Sequence, residues 1–370
     1  DQPVPEDMWE RAAEYCGNDV EATEATFDAT LSDYNARRIL STLSGLSMNS
    51  TTNQHTTSII FEGKPKKETI RELVYTDLGK EFPGYKYSFG KSEYRGEDPG
   101  EGGYVYAEPG VYENVALLDI ASMHPRSAIV LDMFGVYTKN FESLMDGRLA
   151  CKHDDMDLLK SMFDGKLLDI LNQEGITLKD ISNGLKTAIN SVYGLTSASF
   201  ENAFRHPDNN DNIVAKRGAL FMIELKHAVQ ERGYIVAHIK TDSIKIPNAD
   251  QSIIDFVFDF GRKYGYTFEH EDTYKRLALV NKSTYICQDQ EDVWHATGTQ
   301  FQDAYVFKTL FTKEALSKED FFVTKEVKQA SIHLGDKFIG RLAELYASET
   351  GDEVFRVTED KKRSVPGTKG

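Results

Sequence analysis

The apolar run Val115-Ala116-Leu117-Leu118 ends in a carboxylate, Asp119. No other feature constrains the fold as strongly. A short apolar run of this kind is a buried strand, and an anion at the end of a buried strand is costly unless it is paired or coordinates a metal. A second carboxylate has a similar setting. The runs Tyr234-Ile235-Val236-Ala237-His238-Ile239 and Ile244-Lys245-Ile246-Pro247 flank Lys240-Thr241-Asp242-Ser243. This predicts strand, tight turn, strand, with Asp242 at the tip. If the two strands are neighbours, the carboxylates face each other and repel unless divalent cations lie between them.

Between the two carboxylates the pattern changes to helix. Residues 136–194 read as helical, with a loop near 172–175. Ile181, Leu185, Ala188, Ile189 and Val192 recur at helical spacing and form one apolar stripe. Lys186, Asn190 and Tyr193 fall at i, i+4 and i+7 and share a different face, with Gly194 as the stop signal. Arg148 and Lys152 put two further cations on one face of an earlier helix. Mg²⁺ favours a few carboxylates together with phosphate oxygens. Two such ions about 3.5–4 Å apart can clamp both oxygens of an in-line phosphoryl displacement. The cations supply the charge a triphosphate needs during transfer.

The 370 residues suffice for two or three domains. No apolar run is long enough to span a membrane, and residues 1–10 carry no secretory core. Cys16, Cys151 and Cys287 are too scattered for a zinc site and point to a reducing compartment. A net charge of −16 argues against a polyanionic partner. Its distribution weakens that argument, because residues 1–50 hold ten acids and three bases while 301–370 are balanced.

Along the chain, residues 6–43 read as one helix with Trp9, Ala12, Cys16, Val20, Phe27 and Leu31 as its apolar side, and with Tyr15 and Asp19 on adjacent turns. Residues 44–58, rich in Ser, Thr and Asn, read as a linker. Gly100-Glu101-Gly102-Gly103-Tyr104-Val105-Tyr106 reads as a turn leading into a strand, with glycines that let another backbone come close. Helices are expected over about 214–232 and 252–264, a strand over 277–286, helices near 318–326 and 336–348, and a last strand at 354–357.

The order of these parts resembles family B DNA polymerases, particularly phage ones. Their Asp-x-x-Ser-Leu-Tyr-Pro-Ser motif is matched by Asp119-Ile120-Ala121-Ser122-Met123-His124-Pro125-Arg126. Their Lys-x-x-x-Asn-Ser-x-Tyr-Gly is met in full from Lys186 to Gly194, and the second half of Tyr-Gly-Asp-Thr-Asp-Ser by Thr241-Asp242-Ser243. Lys282 and Tyr285 are similar to the family's Lys-Lys-Arg-Tyr stretch, and Tyr15 with Asp19 to the last motif of a DnaQ-type 3′–5′ exonuclease. There are departures. His124 replaces the Tyr under the incoming sugar, Arg126 a small residue, and Lys240 the first hairpin Asp, while Gly100 stands where a Tyr-x-Gly-Gly loop has its Tyr.

The resemblance implies an α/β (α+β) right hand with an antiparallel palm sheet, two-helix fingers and a C-terminal thumb. It divides the chain into the end of an exonuclease domain (1–43), a connecting region (44–94), palm (95–135), fingers (136–194), palm again (195–286) and thumb (287–370), the other exonuclease carboxylates lying upstream. It implies template-directed addition of deoxynucleotides to a primer 3′-hydroxyl, in phage genome replication. Asp119, Asp242 and the Ile120 carbonyl would hold two Mg²⁺, with Mn²⁺ as the alternative ion. Arg148, Lys152, Lys186, Asn190, Ser122, Met123, His124 and Tyr193 would bind the nucleotide, and Gly102, Gly103, Lys240, Lys282 and Tyr285 the DNA. The implied partners are primer–template DNA, dNTPs and other replisome proteins but no membrane, and the implied location is the cytoplasm, the host's if the chain is viral. Two rivals stand beside this reading: an inactive structural replisome subunit, and a metal-dependent nuclease using the same aspartates.

Overall fold

The structure, a computed structural model, describes residues 4–64, 66–298, 301, 304–309, 313–326, 331–334, 337–340, 342–346, 355–358 and 361–364. The chain is mixed α/β and divides into two compact units. The first comprises Asp1–Val105, Ile120–Ala228 and Asp255–Glu269; the second comprises Tyr106–Asp119, Val229–Ile254 and His270–Gly370.

The first unit is mainly helical. It opens with α1 (Trp9–Ala29) and α2 (Leu31–Ser44), so the single helix expected over 6–43 is broken. At Thr30 the backbone leaves helical geometry, and its Oγ1 donates to the Thr26 carbonyl at 2.8 Å. Thr23 and Thr26 make the same bond one turn back, and hydroxyls that compete for helix carbonyls weaken the ladder. The expected apolar side of α1 is not buried: no residue of α1 is, and Trp9 remains 58% exposed. The expected linker over 44–58 contains α3 (Thr52–Ile60), started by a reciprocal Thr51–Gln54 capping box and burying His55, Thr56 and Ile60. Then come α4 (Lys66–Glu72) and a hairpin of β1 (Lys86–Ser88) and β2 (Lys91–Glu93).

After the strands β3 (Val105–Ala107) and β4 (Gly110–Ile120) the chain forms α5 (Met123–Val130), α6 (Thr138–Lys152), α7 (Met156–Ser161), α8 (Lys166–Leu171) and α9 (Leu178–Ser197). The helix α9 is the centre of this unit and packs on α2, α3 and α6. A Thr177–Asp180 capping box starts it, and its buried face includes Ile181, Leu185, Ala188, Ile189 and Val192. Small residues let the neighbours approach: a Cβ on Gly147 of α6 would lie 3.2 Å from the Leu167 and Leu185 methyls, and one on Gly184 3.3 Å from Ile39. Gly194 does not stop α9, which runs to Ser197 because buried Leu195 and Thr196 reward another turn. Next are α10 (Ile213–Gln230), β5 (His238–Lys240), β6 (Ser243–Pro247) and α11 (Gln251–Lys263), with α10 and α11 close to their expected limits.

The second unit is built on a sheet completed by β7 (Phe268–Asn281), β8 (Thr284–Gln288) and β9 (Trp294–Thr297), in the order β3-β5-β6-β4-β7-β8-β9. The β4–β6, β5–β6, β7–β8 and β8–β9 pairings are antiparallel. The single strand expected over 277–286 is instead two, turning at Lys282-Ser283. Val115, Ala237, Leu277, Leu279 and Cys287 form a buried cluster here. After the short helix α12 (Ala304–Phe307), the helices expected near 318–326 and 336–348 are replaced, apart from one 3₁₀ turn at Lys318–Phe321, by β10 (Phe322–Glu326), β11 (Ser331–Leu334), β12 (Lys337–Gly340) and β13 (Leu342–Tyr346). Cross-strand pairing of β10 with β13 and of β11 with β12 overrides local helix propensity. The strands β14 (Phe355–Thr358) and β15 (Lys361–Ser364) complete the sheet β12-β11-β14-β15. Much of the expected thumb, 287–370, lies outside the described residues. No helix among the described residues is long and apolar enough to cross a membrane.

Two glycines test this packing in opposite directions. Gly147→Val should cost about 1–3 kcal/mol by overpacking the α6–α9 contact. Gly194 is helical with nothing within 4 Å of an added Cβ, so Gly194→Ala should stabilise by about 0.5–1 kcal/mol. Thermal melts of the two variants should move down and up respectively; a Gly147→Val melt at the wild-type temperature would contradict the close approach.

Candidate active site

The second unit brings the two aspartates to one end of the sheet. In the β4–β6 pairing Asp119 lies opposite Ser243, the residue after Asp242. In the β5–β6 pairing Ser243 lies opposite Lys240, leaving Thr241-Asp242 as a two-residue turn. Thr241 adopts φ +55, and the Asp242 N–H donates to the Lys240 carbonyl at 2.8 Å. The turn therefore interrupts the alternation, and Lys240 and Asp242 are not related as i and i+2 of one strand. Directly opposed residues share a face, so Lys240, Ser243 and Asp119 form one row. The row is partly open to solvent, with Lys240 the most exposed member.

The next row inward holds Leu117, Lys245 and His238, and both polar residues are buried. The His238 Nε2 donates to the Lys282 carbonyl at 3.0 Å, which leaves Nδ1 to accept from Lys245 Nζ at 3.4 Å. Lys245 Nζ also lies 5.1 Å from the centre of the Tyr285 ring, and the His238 and Tyr285 rings are 5.3 Å apart. These contacts tie the Lys282–Tyr285 turn to the carboxylate hairpin. Burial pulls the Lys245 ammonium down to about 8, assisted by Lys240 and opposed by Cys287, Asp119 and Glu271. Burial, then Lys245 and Lys240, pull the His238 imidazole down to about 4. Sequence reasoning missed both residues. Alternation places Lys245 with Ser243, but it does not say that this face is covered as well.

The donors at the sheet end are hard oxygens. Among the described residues no three His, Cys, Asp or Glu side chains gather as a ready-made cage. Mg²⁺ at phosphate sites does not require one, because it takes one or two carboxylates and completes its shell with phosphate oxygens and water. Asp119 and Asp242 fit that requirement. Ile120 ends β4 as a buried residue, and the Ala121 N–H donates to the Thr267 carbonyl.

The first unit gathers the expected cations. An open cleft of about 710 Å³ between α6 and α9 is lined by Arg148, Lys152, Asp154, Lys179, Asn183 and Lys186, among others. Its cations outnumber its carboxylates four to one. Lys179 was not expected, although its spacing of seven from Lys186 places both on one helix face. The Arg148 Nη1 donates to Ser122 Oγ at 3.3 Å, while its Nε is buried without a protein acceptor. Ser122 sits at φ +59 in front of α5. Met123 is buried, and Gly218 makes room for its sulfur, since a Cβ there would clash with it. The His124 ring stacks on Tyr193 with centroids 4.3 Å apart and planes 7° apart. Arg126 reaches Glu142 at 3.7 Å. Asn190 is exposed on α9 beyond the cleft.

Other expected residues of the first unit do not line that cleft. Tyr15 and Asp19 are exposed on α1, Tyr15 by 66%. Gly102 and Gly103 belong to a loop held down by α10. A Cβ on Gly100 would lie 2.7 Å from the Gly103 carbonyl oxygen, and Lys216 Nζ donates to the Gly100 carbonyl. Lys226 Nζ donates to both Glu97 oxygens at 2.7 Å, and His227 Nε2 and Tyr104 Oη also reach that carboxylate. Burial pushes the Glu97 carboxyl up, but the hydrogen bonds outweigh it and hold it below the usual range.

No family model matches the chain, and no curated protein matches it. Among solved structures, the family B DNA polymerase of the hyperthermophilic archaeon Pyrobaculum calidifontis is similar to 88% of this chain, with 13% identity and a TM-score of 0.47. The chain spans about half of that polymerase, 47% of its length. At that level the likeness says nothing of activity.

The buried histidine gives a signed pH prediction. The folded-state pKa of His238 lies below its ordinary 6.5, near 4. The native state therefore holds fewer protons in that window, and stability falls as pH drops from about 6.5 to about 4. At full extent this amounts to about 3 kcal/mol. His238→Gln keeps an N–H for the Lys282 carbonyl and removes the titration. Melting temperatures from pH 7 to 4.5 should fall less steeply in this variant; equal slopes would contradict the assignment.

Proposed function

We propose that the chain is the polymerising part of a template-directed DNA polymerase, adding deoxynucleotides to a primer 3′-hydroxyl with release of pyrophosphate. The observation that carries this reading is the register of β4 on β6, which sets Asp119 opposite Ser243 beside the Asp242 turn. The cation cleft on α6 and α9 supports it independently, because a four-to-one excess of cations suits a triphosphate.

Asp119 and Asp242 would hold two Mg²⁺. Bound there, the ions would activate the primer hydroxyl and neutralise charge on the attacking and leaving oxygens. The chain's own residues bind and orient. Arg148, Lys152 and Lys186, joined by Lys179, take the triphosphate oxygens, and the buried Arg148 Nε gains the acceptor it lacks in the protein. Lys186 is the residue suited to give a proton to the departing pyrophosphate. The Tyr193–His124 stack presents a flat wall for the nascent pair, with Ser122 and Met123 towards the triphosphate and sugar. Asn190 offers an amide to the base edge. Lys240, Lys282 and Tyr285, with Gly102 and Gly103, contact the primer–template backbone.

One observation favours the inactive replisome subunit as a second reading: Lys240 shares a row with Asp119, where the family has a carboxylate. The exposure of Lys240 supports its use on DNA phosphates instead. A nuclease that uses the same aspartates needs no triphosphate cleft.

Primer extension with and without dNTPs separates the three readings. The wild-type chain should extend with dNTPs and should not degrade the primer without them. Asp119→Asn and Asp242→Asn should each lose extension by at least a factor of about 10², equivalent to several kcal/mol, while still binding primer–template. Extension by either variant at the wild-type rate would overturn the assignment, and dNTP-independent degradation lost in Asp242→Asn would establish the nuclease. Lys240→Ala should weaken DNA binding and reduce its salt slope by about 1. Unchanged binding with a lower Mg²⁺ requirement would instead set Lys240 towards the metals.

A further inference from the structure

The β1–β2 hairpin presents an aromatic ring that folding does not account for. Ser88 pairs with Lys91, so Phe89-Gly90 is a two-residue turn with φ +50 and +77. Such turns favour Asn or Gly at the first position, and a bulky side chain at positive φ is strained. Phe89 is nevertheless there, and the residue is fully exposed. It therefore incurs a backbone cost and a solvation cost together. One end of the hairpin is tied to the segment before α10. Tyr87 Oη donates to the Asn210 carbonyl at 2.9 Å, and Tyr85 and Tyr75 donate to Asp211 at 3.2 and 3.3 Å. The ring is thus carried on an anchored support.

The surroundings identify what could meet the ring. In a chain of net charge −16, residues 84–92 carry Lys86 and Lys91, no acid, and three aromatics, Tyr85, Tyr87 and Phe89. Lys86 lies opposite Glu93 across the hairpin, while Lys91 lies opposite Ser88, directly after the Phe89-Gly90 turn. An exposed ring flanked by lysines suits a single nucleic-acid strand, whose unpaired bases stack on an aromatic face while its phosphates take the cations.

We propose that the Phe89 hairpin is a binding site for single-stranded DNA, in which Phe89 stacks on an unpaired base and Lys91 and Lys86 contact the flanking phosphates. The choice of DNA rests on the polymerase reading, and the stacking chemistry rests on the hairpin itself.

The test uses the full chain and a labelled oligo(dT), followed by fluorescence anisotropy, with Phe89→Asn, Phe89→Trp and Asp119→Asn as variants. Phe89→Asn supplies the residue that the turn favours, so its melting temperature should equal or exceed that of the wild type. Its affinity for oligo(dT) should fall about ten-fold. Phe89→Trp should bind as the wild type does, and the indole fluorescence it adds to that of Trp9 and Trp294 should be quenched on addition of oligo(dT), a quenching that the wild type does not show. Asp119→Asn should bind oligo(dT) like the wild type while failing to extend primers, so the two proposals fail separately. Undiminished oligo(dT) binding by Phe89→Asn would overturn the inference and leave the polymerase reading intact. It would also be overturned if Phe89→Trp fluorescence ignored oligo(dT), or responded only to oligo(U) or to anionic phospholipid vesicles.

Discussion

The pairing of β4 with β6 is the constraint on which the candidate chemistry depends. It is a ladder of main-chain hydrogen bonds, and a shift of one residue would move Asp119 to the opposite face of the sheet. The apolar residues fix the register. Leu118 opposes Ile244 and Ala116 opposes Ile246, and all four are buried, so a slip would drive Asp119 and Lys245 into apolar surroundings. The tight Thr241-Asp242 turn fixes the other end, because a two-residue loop leaves no slack between β5 and β6. The position of the carboxylates is thus a consequence of burying isoleucines.

Beneath that row the structure contains a polar pair that a sheet interior normally excludes. A buried lysine and histidine are costly unless each finds partners. Here the histidine donates to the Lys282 carbonyl and accepts from the lysine, whose ammonium also lies over the Tyr285 ring. The arrangement holds the Lys282–Tyr285 turn against the carboxylate hairpin. It also sets a positive charge close enough to Asp119 to be felt by it, as the opposing influence of Asp119 on Lys245 indicates. The His238 pair therefore links the stability of the sheet to the electrostatics of the carboxylate row.

The sequence revealed some of this and concealed the rest for physical reasons. The α9 stripe was legible because Ile181 to Val192 repeat at 3.6 residues and are all buried. The strand before Asp119 was legible because four apolar residues in a row have few alternatives. The strand neighbours of that segment were not, since periodicity says nothing of partners. The helix over 52–60 was hidden by its Ser and Thr content, although Thr51 and Gln54 carry a capping signature at the right spacing. The β7–β8 turn was hidden inside an apolar stretch, with Asn281-Lys282-Ser283 as its only mark. Conversely, the apolar residues of α1 suggested a buried face that the structure leaves exposed. Of the site, the aspartates and Arg148, Lys152 and Lys186 stood out as charges in ordered positions. Lys179, Lys245 and His238 did not, because their roles come from burial and from what lies across a gap.

The central claim is that Asp119 and Asp242 together hold divalent cations in the presence of a nucleotide. The most direct measurement is Mn²⁺ binding, followed by electron paramagnetic resonance, in a complex of the chain with a 3′-terminated primer–template and the next dNTP. The account predicts about two tightly bound ions in the wild-type complex and their loss in the Asp119→Asn, Asp242→Asn double variant, with DNA still bound. The same number of tightly bound ions in the double variant would contradict it.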